Sequence, residues 1–230
     1  MPVLRRPLNR LVHAARRLVA EAGAIQPGTD LAESFGGFGA ASYIAYPMAT
    51  LFGQRSIHIG AGTLIGAHCT LTVGHAPDDP LLPVDGLRIG DRCVIGARSI
   101  LTAHRAIEVG DDVWFGQNVF VSDSGHGYQD PETPIGRQLG AHAPVSIGAG
   151  SWIGHGAIIL PGARIGRNVV VGAGSVVRGA VPDHSIVAGV PAKVVRTLEP
   201  GVGWVPTSGT GDIRPAWTTS QVEAMLAGEL

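Results

Sequence analysis

Aromatic residues are scarce in this chain, at 5% of its positions. That scarcity excludes a core built on large rings and suits a thin core stacked from aliphatic side chains. Cysteine is nearly absent too. Cys69 and Cys93 are the only two, too few for a disulfide framework. Each falls four positions after an aliphatic residue, Ile65 or Ile89, and reads as a small core side chain. Neither sign of charge dominates: 17 basic and 18 acidic residues leave a net charge of −1. This balance supplies neither the basic field that nucleic acid demands nor a polybasic membrane anchor. No apolar run approaches the roughly 20 residues that span a bilayer. The opening MPVLRRPLNRLVHAARRLVAEAG lacks the uninterrupted apolar core of a secretory signal. The expectation is a cytoplasmic protein, with no nucleic-acid partner and no membrane insertion.

Glycine is what the chain has in excess, 34 residues of 230. It is regularly spaced rather than low in complexity. From Ile147 to Val181 the sequence runs IGAGSW IGHGAI ILPGAR IGRNVV VGAGSV VRGAV. An aliphatic residue stands at Ile147, Ile153, Ile159, Ile165, Val171 and Val177, and four positions after each comes a small or β-branched one: Ser151, Ala157, Ala163, Val169, Ser175 and Val181. A period of six matches neither the 3.6 of a helix nor the alternation of one long strand. It predicts a coil of short strands and tight bends, with one large and one small side chain turned inward on each face. Glycine after the aliphatic residue is expected to supply the backbone angles of the bend.

Hexads start at Ile59, break after Leu71, resume at Ile89, shift phase after Leu101, and break again after Val121. Three hexads to a triangular turn place coil starts at 59, 89, 109, 147 and 165. Both interruptions then leave from the third face and emerge from one edge, where loops on a rigid scaffold carry most sites. Residues 1–24 read as an amphipathic helix, with Leu8, Leu11 and Leu18 among arginines. Packing on the end of the coil is its expected role, rather than binding a membrane surface or a partner. Residues 197–216 are expected to be irregular. Residues 218–229 carry a capping box from Ser220 to Glu223 and predict a short terminal helix.

These hexads resemble those of the hexapeptide-repeat acyltransferases, and two further segments narrow the resemblance. SDSGHGYQDPETPIGRQ (122–138) is similar to the catalytic-histidine loop of the sugar, maltose and galactoside O-acetyltransferase branch. VPDHSIVAGVPAKVVR (181–196) is similar to its C-terminal signature, where the far end of coenzyme A is held. The resemblance implies an all-β fold, a left-handed parallel β-helix with short terminal helices; its left hand comes from the family alone, since parallel crossovers are otherwise right-handed. The implied domains are 1–56, an N-terminal helix and irregular lead-in coil; 57–196, the hexapeptide-repeat acyltransferase domain with loops 72–88 and 122–146; and 197–230, a C-terminal extension with a short helix.

The implied chemistry moves an acetyl group from acetyl-CoA to a hydroxyl, of a sugar, a polysaccharide or another small alcohol. An imidazole is suited to take the hydroxyl proton at neutral pH, and His126 is the candidate, flanked by glycines that keep the backbone open. The resemblance puts the backbone N–H that meets the oxyanion on the coil after the loop, at His155, and Trp152 along the pantetheine arm. Ala173 and Gly174 match positions where backbone contacts the coenzyme. Arg178, Lys193 and Arg196 are the candidates for its phosphates. Trp152 and His155 are expected to face the His126 loop. Relatives place Asn and Asp on the acceptor side, whereas the matching region here is Arg98-Ser99 and His104-Arg105. The acceptor residues are therefore expected to be Arg98, His104 and Arg105, with a more acidic acceptor or another alcohol in place of galactoside or maltose. A homotrimer with sites between subunits is implied, with no metal.

Two rival readings remain at this point. His75, His104 and His126 all attach to third hexads of successive coils. Three imidazoles with an open position can hold Zn²⁺ and generate hydroxide, as in the hexapeptide-repeat carbonic anhydrases. The two histidines five residues apart that mark those enzymes are missing here, and His104 at a bend is expected to point outward. The other rival is a non-enzymatic trimeric assembly module.

Overall fold

A computed structural model describes residues 5–228. Its strands form three parallel ladders that run the length of a coil. The first face stacks Gly37–Phe38, Ile57–Ile59, Leu87–Ile89, Ile107–Val109, Val145–Ile147, Arg164–Ile165 and Ala180–Val181. The second stacks Tyr43–Ile44, Leu64–Ile65, Val94–Ile95, Trp114–Phe115, Trp152–Ile153, Val170–Val171 and Ser185–Gly189. The third stacks Thr50–Phe52, Thr70–Val73, Ile100–Ala103, Phe120–Ser122, Ile158–Ile159 and Val176–Val177. This is a left-handed parallel β-helix. The lead-in over 37–52 is itself a complete coil, each of its strands paired in register with the coil above.

Register follows from the hexads. Ile147, Ile153 and Ile159 are buried inward, and so are the small residues Ser151, Ala157 and Ala163. Each fully buried aliphatic side chain contributes about 1.5–3 kcal/mol. Buried hydroxyls find backbone partners on the neighbouring coil: Ser151 Oγ donates to the Gly166 carbonyl at 3.1 Å and accepts the Val169 N–H at 3.1 Å. Cys69 and Cys93 occupy this small inward position, and burial pushes both thiols up.

The glycine after each aliphatic residue is there for a different reason than expected. At Gly154 a Cβ would lie 2.6 Å from the Ala173 nitrogen of the next coil, so close approach of backbones excludes a side chain. The left-handed bend falls two residues later, at Gly150, Gly156 and Gly174, or at Asn168.

The outward rows differ from face to face. The first face presents His58, Arg88, Glu108, Ser146 and Arg164. The second presents Tyr43, Leu64, Val94, Trp114, Trp152, Val170 and Ile186; Trp114 and Trp152 are 57% and 55% exposed. The third presents Thr50 and Thr70 and then Ile100, Phe120, Ile158 and Val176. The second face is thus apolar on the outside along its length, and the third from Ile100 onward.

The ends correct several expectations. Helix α1 (Arg5–Gly23) is exposed from Arg6 to Val19 rather than packed on the coil; residues 1–4 of the expected helix lie outside the described residues. The reason is that Ile25, Phe35 and Ala32 already seal that end, Ala32 lying on the short helix α2 (Asp30–Glu33), whose cap is Thr29. At the other end, residues 197–216 are not irregular throughout. Ala192–Glu199 turns back antiparallel on Ser185–Gly189, and Gly203–Pro206 pairs with it in turn. Helix α3 (Thr219–Leu226) has its cap two residues before the expected one. Thr218 and Gln221 cap it reciprocally, because that pair has the same spacing as Ser220 and Glu223 and comes first along the chain. No described helix is long and apolar enough to cross a membrane.

Candidate active site

Two corners of the triangle concern function. Where the third face turns into the first, the coil releases two long loops, 74–86 and 123–144. Where the second face turns into the third, every coil makes only a short bend.

The loop corner is organised by Asp123. Its side chain is fully buried, and its carboxylate accepts the backbone N–H groups of His104, Arg105 and Ala106 at 2.7–2.8 Å. Its own carbonyl accepts the Ala143 N–H at 2.8 Å, so one residue ties the start and the end of the long loop to the bend below. The loop also closes on itself. His126 bridges to Leu139, and the Gly127 N–H donates to the Gln138 carbonyl at 3.1 Å. Of the two glycines beside His126, Gly125 borders open space, whereas a Cβ on Gly127 would meet the Leu139 carbonyl oxygen at 2.9 Å. Only Gly125 leaves access; Gly127 lets the loop fold back.

His126 is exposed and lines a small cavity of about 150 Å³ together with His75, His104 and His142. The His75 and His104 rings are 4.2 Å apart, and His104 and His142 are 5.1 Å apart. His104 is half-buried, not outward as expected, because the bonds from Asp123 pull its bend in. Burial first, and the neighbouring His75 and His142 second, lower its pKa against the opposing pull of Asp123 and Asp79. The metal-type triad of the rival reading is also rearranged: His75 and His104 cluster with His142 rather than with His126.

The turn corner is a ladder of backbone bonds. Arg98 N–H donates to Ala67, Asn118 to Ala97, Gly156 to Gln117 and Gly174 to His155. Arg98, His155, Ala173 and Gly174 therefore lie along one edge, with Trp152 on the face leading up to it. The His155 carbonyl is used in this ladder, while its own N–H donates to no described residue. The Lys193 hairpin sits above the same edge: Lys193 pairs with Ala188, and the Gly189 N–H donates to Ser175 Oγ at 3.2 Å.

The expected site is thus divided within one chain. His126, His104, Arg105 and Arg178 belong to the loop corner. Trp152, His155, Ala173, Gly174, Lys193 and Arg98 belong to the turn corner. The third face lies between them, about six residues or on the order of 15–20 Å wide. Trp152 and His155 do not face the loop of their own chain, and Arg178 is not beside Lys193. Two arginines are already engaged. Arg98 donates to Asn118 Oδ1 at 3.1 Å and Gln117 Oε1 at 2.7 Å. Arg196 donates to the carbonyls of Trp204 at 3.1 Å and Asp212 at 2.8 Å, fastening the C-terminal extension rather than facing outward for a phosphate.

Asp123 and His142 escaped sequence reasoning. Asp123 had a signal, a carboxylate on the inward phase two residues after Val121. His142 had none, since it lies in an aperiodic stretch.

Comparison with known proteins agrees with this architecture. Residues 144–179 match the bacterial transferase hexapeptide (six repeats) model, and residues 86–123 match the hexapeptide repeat of succinyl-transferase. A probable acetyltransferase of Mycobacterium tuberculosis is 37% identical over 63% of this chain and 43% of its own length. The galactoside O-acetyltransferase of Lactococcus lactis is 32% identical over 73% of this chain and 66% of its own. The chain thus spans less than half the length of the mycobacterial relative. The N-acyltransferase AntD of Bacillus cereus, solved in complex with dTDP and coenzyme A, superposes with a TM-score of 0.64 at 21% identity, over 77% of this chain and 92% of that one; that likeness is one of fold. The repeats, their register and these relatives together place the chain in the hexapeptide-repeat acetyltransferase family.

Proposed function

We propose that the protein is a cytoplasmic, acetyl-CoA-dependent O-acetyltransferase that works as a homotrimer on a hydroxyl of a sugar, a polysaccharide or another small alcohol. The observation that carries this reading is the division of the site: a loop bearing an accessible imidazole at one corner, and at another an edge whose upper levels are the small residues Gly156, Ala173 and Gly174, with the His155 N–H donating to no described residue. The apolar outward rows of the second and third faces are the surfaces that neighbouring copies cover. Packed in this way, the loop corner of one copy meets the turn corner of the next. Relatives named as acetyltransferases and a galactoside O-acetyltransferase support the same reading.

In this mechanism Ala173 and Gly174 let the coenzyme lie close to the backbone, Trp152 flanks its arm, and Lys193 and Arg178 offer charge to its phosphates. His126 takes the proton of the acceptor hydroxyl as its oxygen attacks the thioester carbonyl. The N–H of His155 donates to the resulting oxyanion. The C–S bond then breaks, and the departing thiolate takes the proton from His126, so that ester and free thiol leave a neutral imidazole. Cys69 and Cys93 are buried, and direct transfer needs neither; nor does this route need a metal. On the acceptor side, His104 and Arg105 stand at the His126 corner, and Arg98 of the adjoining copy would complete the acceptor contacts.

The test is a screen of sugars, polysaccharide fragments and small alcohols with labelled acetyl-CoA, run on the wild-type protein and on His126→Ala in parallel. Label transferred by the wild type and not by the variant is expected. Equal transfer by both overturns the role of His126, and transfer to none overturns the reading.

A further inference from the structure

The acyl-transfer reading uses His126, gives His104 a place on the acceptor side, and leaves His75 and His142 unexplained. His75 lies at the root of loop 74–86, His104 at the bend between the third and first faces, and His142 near the return of loop 123–144. One side-chain nitrogen from each comes within 4.8 Å of the others. The Nδ1 atoms of His104 and His142 are buried and have no hydrogen-bond partner. Buried polar atoms ordinarily find one, and an imidazole nitrogen lacking one in the midst of two other imidazoles is positioned as a ligand.

Tetrahedral zinc–imidazole bonds of about 2.0–2.1 Å put the nitrogens roughly 3.3 Å apart. The nitrogens need to close by no more than about 1.5 Å to reach that spacing, and two of the rings sit on loops. Backbone support is already in place. Asp79 accepts the His75 N–H at 2.9 Å, and Asp123 accepts the His104 N–H at 2.8 Å.

We propose that His75, His104 and His142 form a binding site for a single first-row divalent transition-metal ion, with zinc as the reference ion, that fastens the two long loops to each other. Three neutral nitrogen donors select zinc, nickel or copper over magnesium and calcium, which prefer oxygen. A fourth position opens on the cavity that His126 lines, so the ion sits beside the candidate base without displacing it. The site does not depend on acyl transfer; a chain that transfers nothing binds zinc here equally well.

The full-length protein is stripped with a chelator and titrated by calorimetry with zinc chloride and, separately, magnesium chloride, with the melting temperature followed in parallel. One zinc per chain, a melting temperature raised by several degrees and no response to magnesium are expected. His75→Gln and His142→Gln should each weaken zinc binding at least about tenfold, with metal-free melting close to wild type, while His126→Gln binds as the wild type does. Cobalt-loaded wild-type protein, which needs no variant, should show the strong visible absorption of a four-coordinate site. Wild type that binds no zinc, undiminished binding by the His75→Gln/His142→Gln double variant, loss of binding in His126→Gln, or a weak six-coordinate cobalt spectrum would each overturn the proposal.

Discussion

The loop corner and the turn corner come from the same hexad repeat and are built in opposite ways. At the turn corner each coil spends a few residues, and backbone bonds from Ala67 up to Gly174 repeat at every level. At its upper levels, with Gly156, Ala173 and Gly174, such an edge presents small side chains and peptide groups along a line, which suits contact with a long, thin molecule. At the loop corner the repeat is abandoned twice, and the departing segments carry His75, His126 and His142. A strict hexad has no room for a reactive ring aimed at a chosen point, because its outward positions are fixed by the coil. The excursion supplies that freedom, and Asp123 supplies the rigidity the excursion would otherwise lose. In the proposed mechanism one corner binds by regularity and the other reacts by exception.

Variants that damage one corner and spare the other sharpen this contrast. The largest effect is expected from His126→Ala, with turnover falling about 10²–10⁴-fold, the usual worth of a positioned base, and coenzyme A affinity largely kept. Steady-state kinetics beside calorimetry with coenzyme A would show it, and wild-type turnover would remove His126 from the mechanism. Next comes a mixing experiment. His126→Ala has a dead loop corner; Gly174→Trp blocks the turn corner. Refolded together, they should regain roughly a quarter of wild-type activity, since random assembly sets an intact corner of each kind face to face at about one interface in four. Complete inactivity of the mixture would mean that both halves act within one chain.

Asp123→Ala should destabilise the protein by about 2–4 kcal/mol, because three backbone N–H groups lose their acceptor in a buried place; denaturant unfolding measures it, and Asp123→Asn should recover part. Lys193→Ala and Arg196→Ala are expected to diverge. Lys193→Ala should raise KM for acetyl-CoA by about three- to tenfold with the acceptor KM unchanged. Arg196→Ala should cost about 1–2 kcal/mol of stability through the two lost carbonyl bonds, with a smaller change in KM. The smallest effect is expected at Cys69 and Cys93: burial raises both thiols and covers them, so a thiol reagent should label neither until the protein unfolds.

Much of the coil was legible because its period is enforced by contact. Ile153 must lie inward, Ala157 must be small beside it, and a side chain at Gly154 would strike the next coil. These are local demands repeated at every level. The candidate site was legible in pieces. His126 could be found from its loop motif, and Ala173 and Gly174 from theirs; the motifs do not say which corner each occupies, and the hexad phase that does was at odds with the expectation that Trp152 and His155 face the loop. Arg196 read as a phosphate ligand because a basic residue in that segment has the right charge. Its engagement depends on where Trp204 and Asp212 return, and that is a matter of the antiparallel hairpin. The exposure of α1 was equally hidden, since it depends on Phe35 and Ile25 reaching the end of the core first.

By itself the sequence determined the six-residue period, the three ladders, the inward residues and the two points of departure from the coil, because each follows from spacing along the chain. Only the tertiary structure decided that Asp123 anchors the loop, that Arg196 is engaged by the C-terminal extension, and that His142 joins His75 and His104. Those facts depend on where aperiodic segments come to rest, and their resting places are set by contacts between residues far apart in sequence, for which the chain carries no repeating signal.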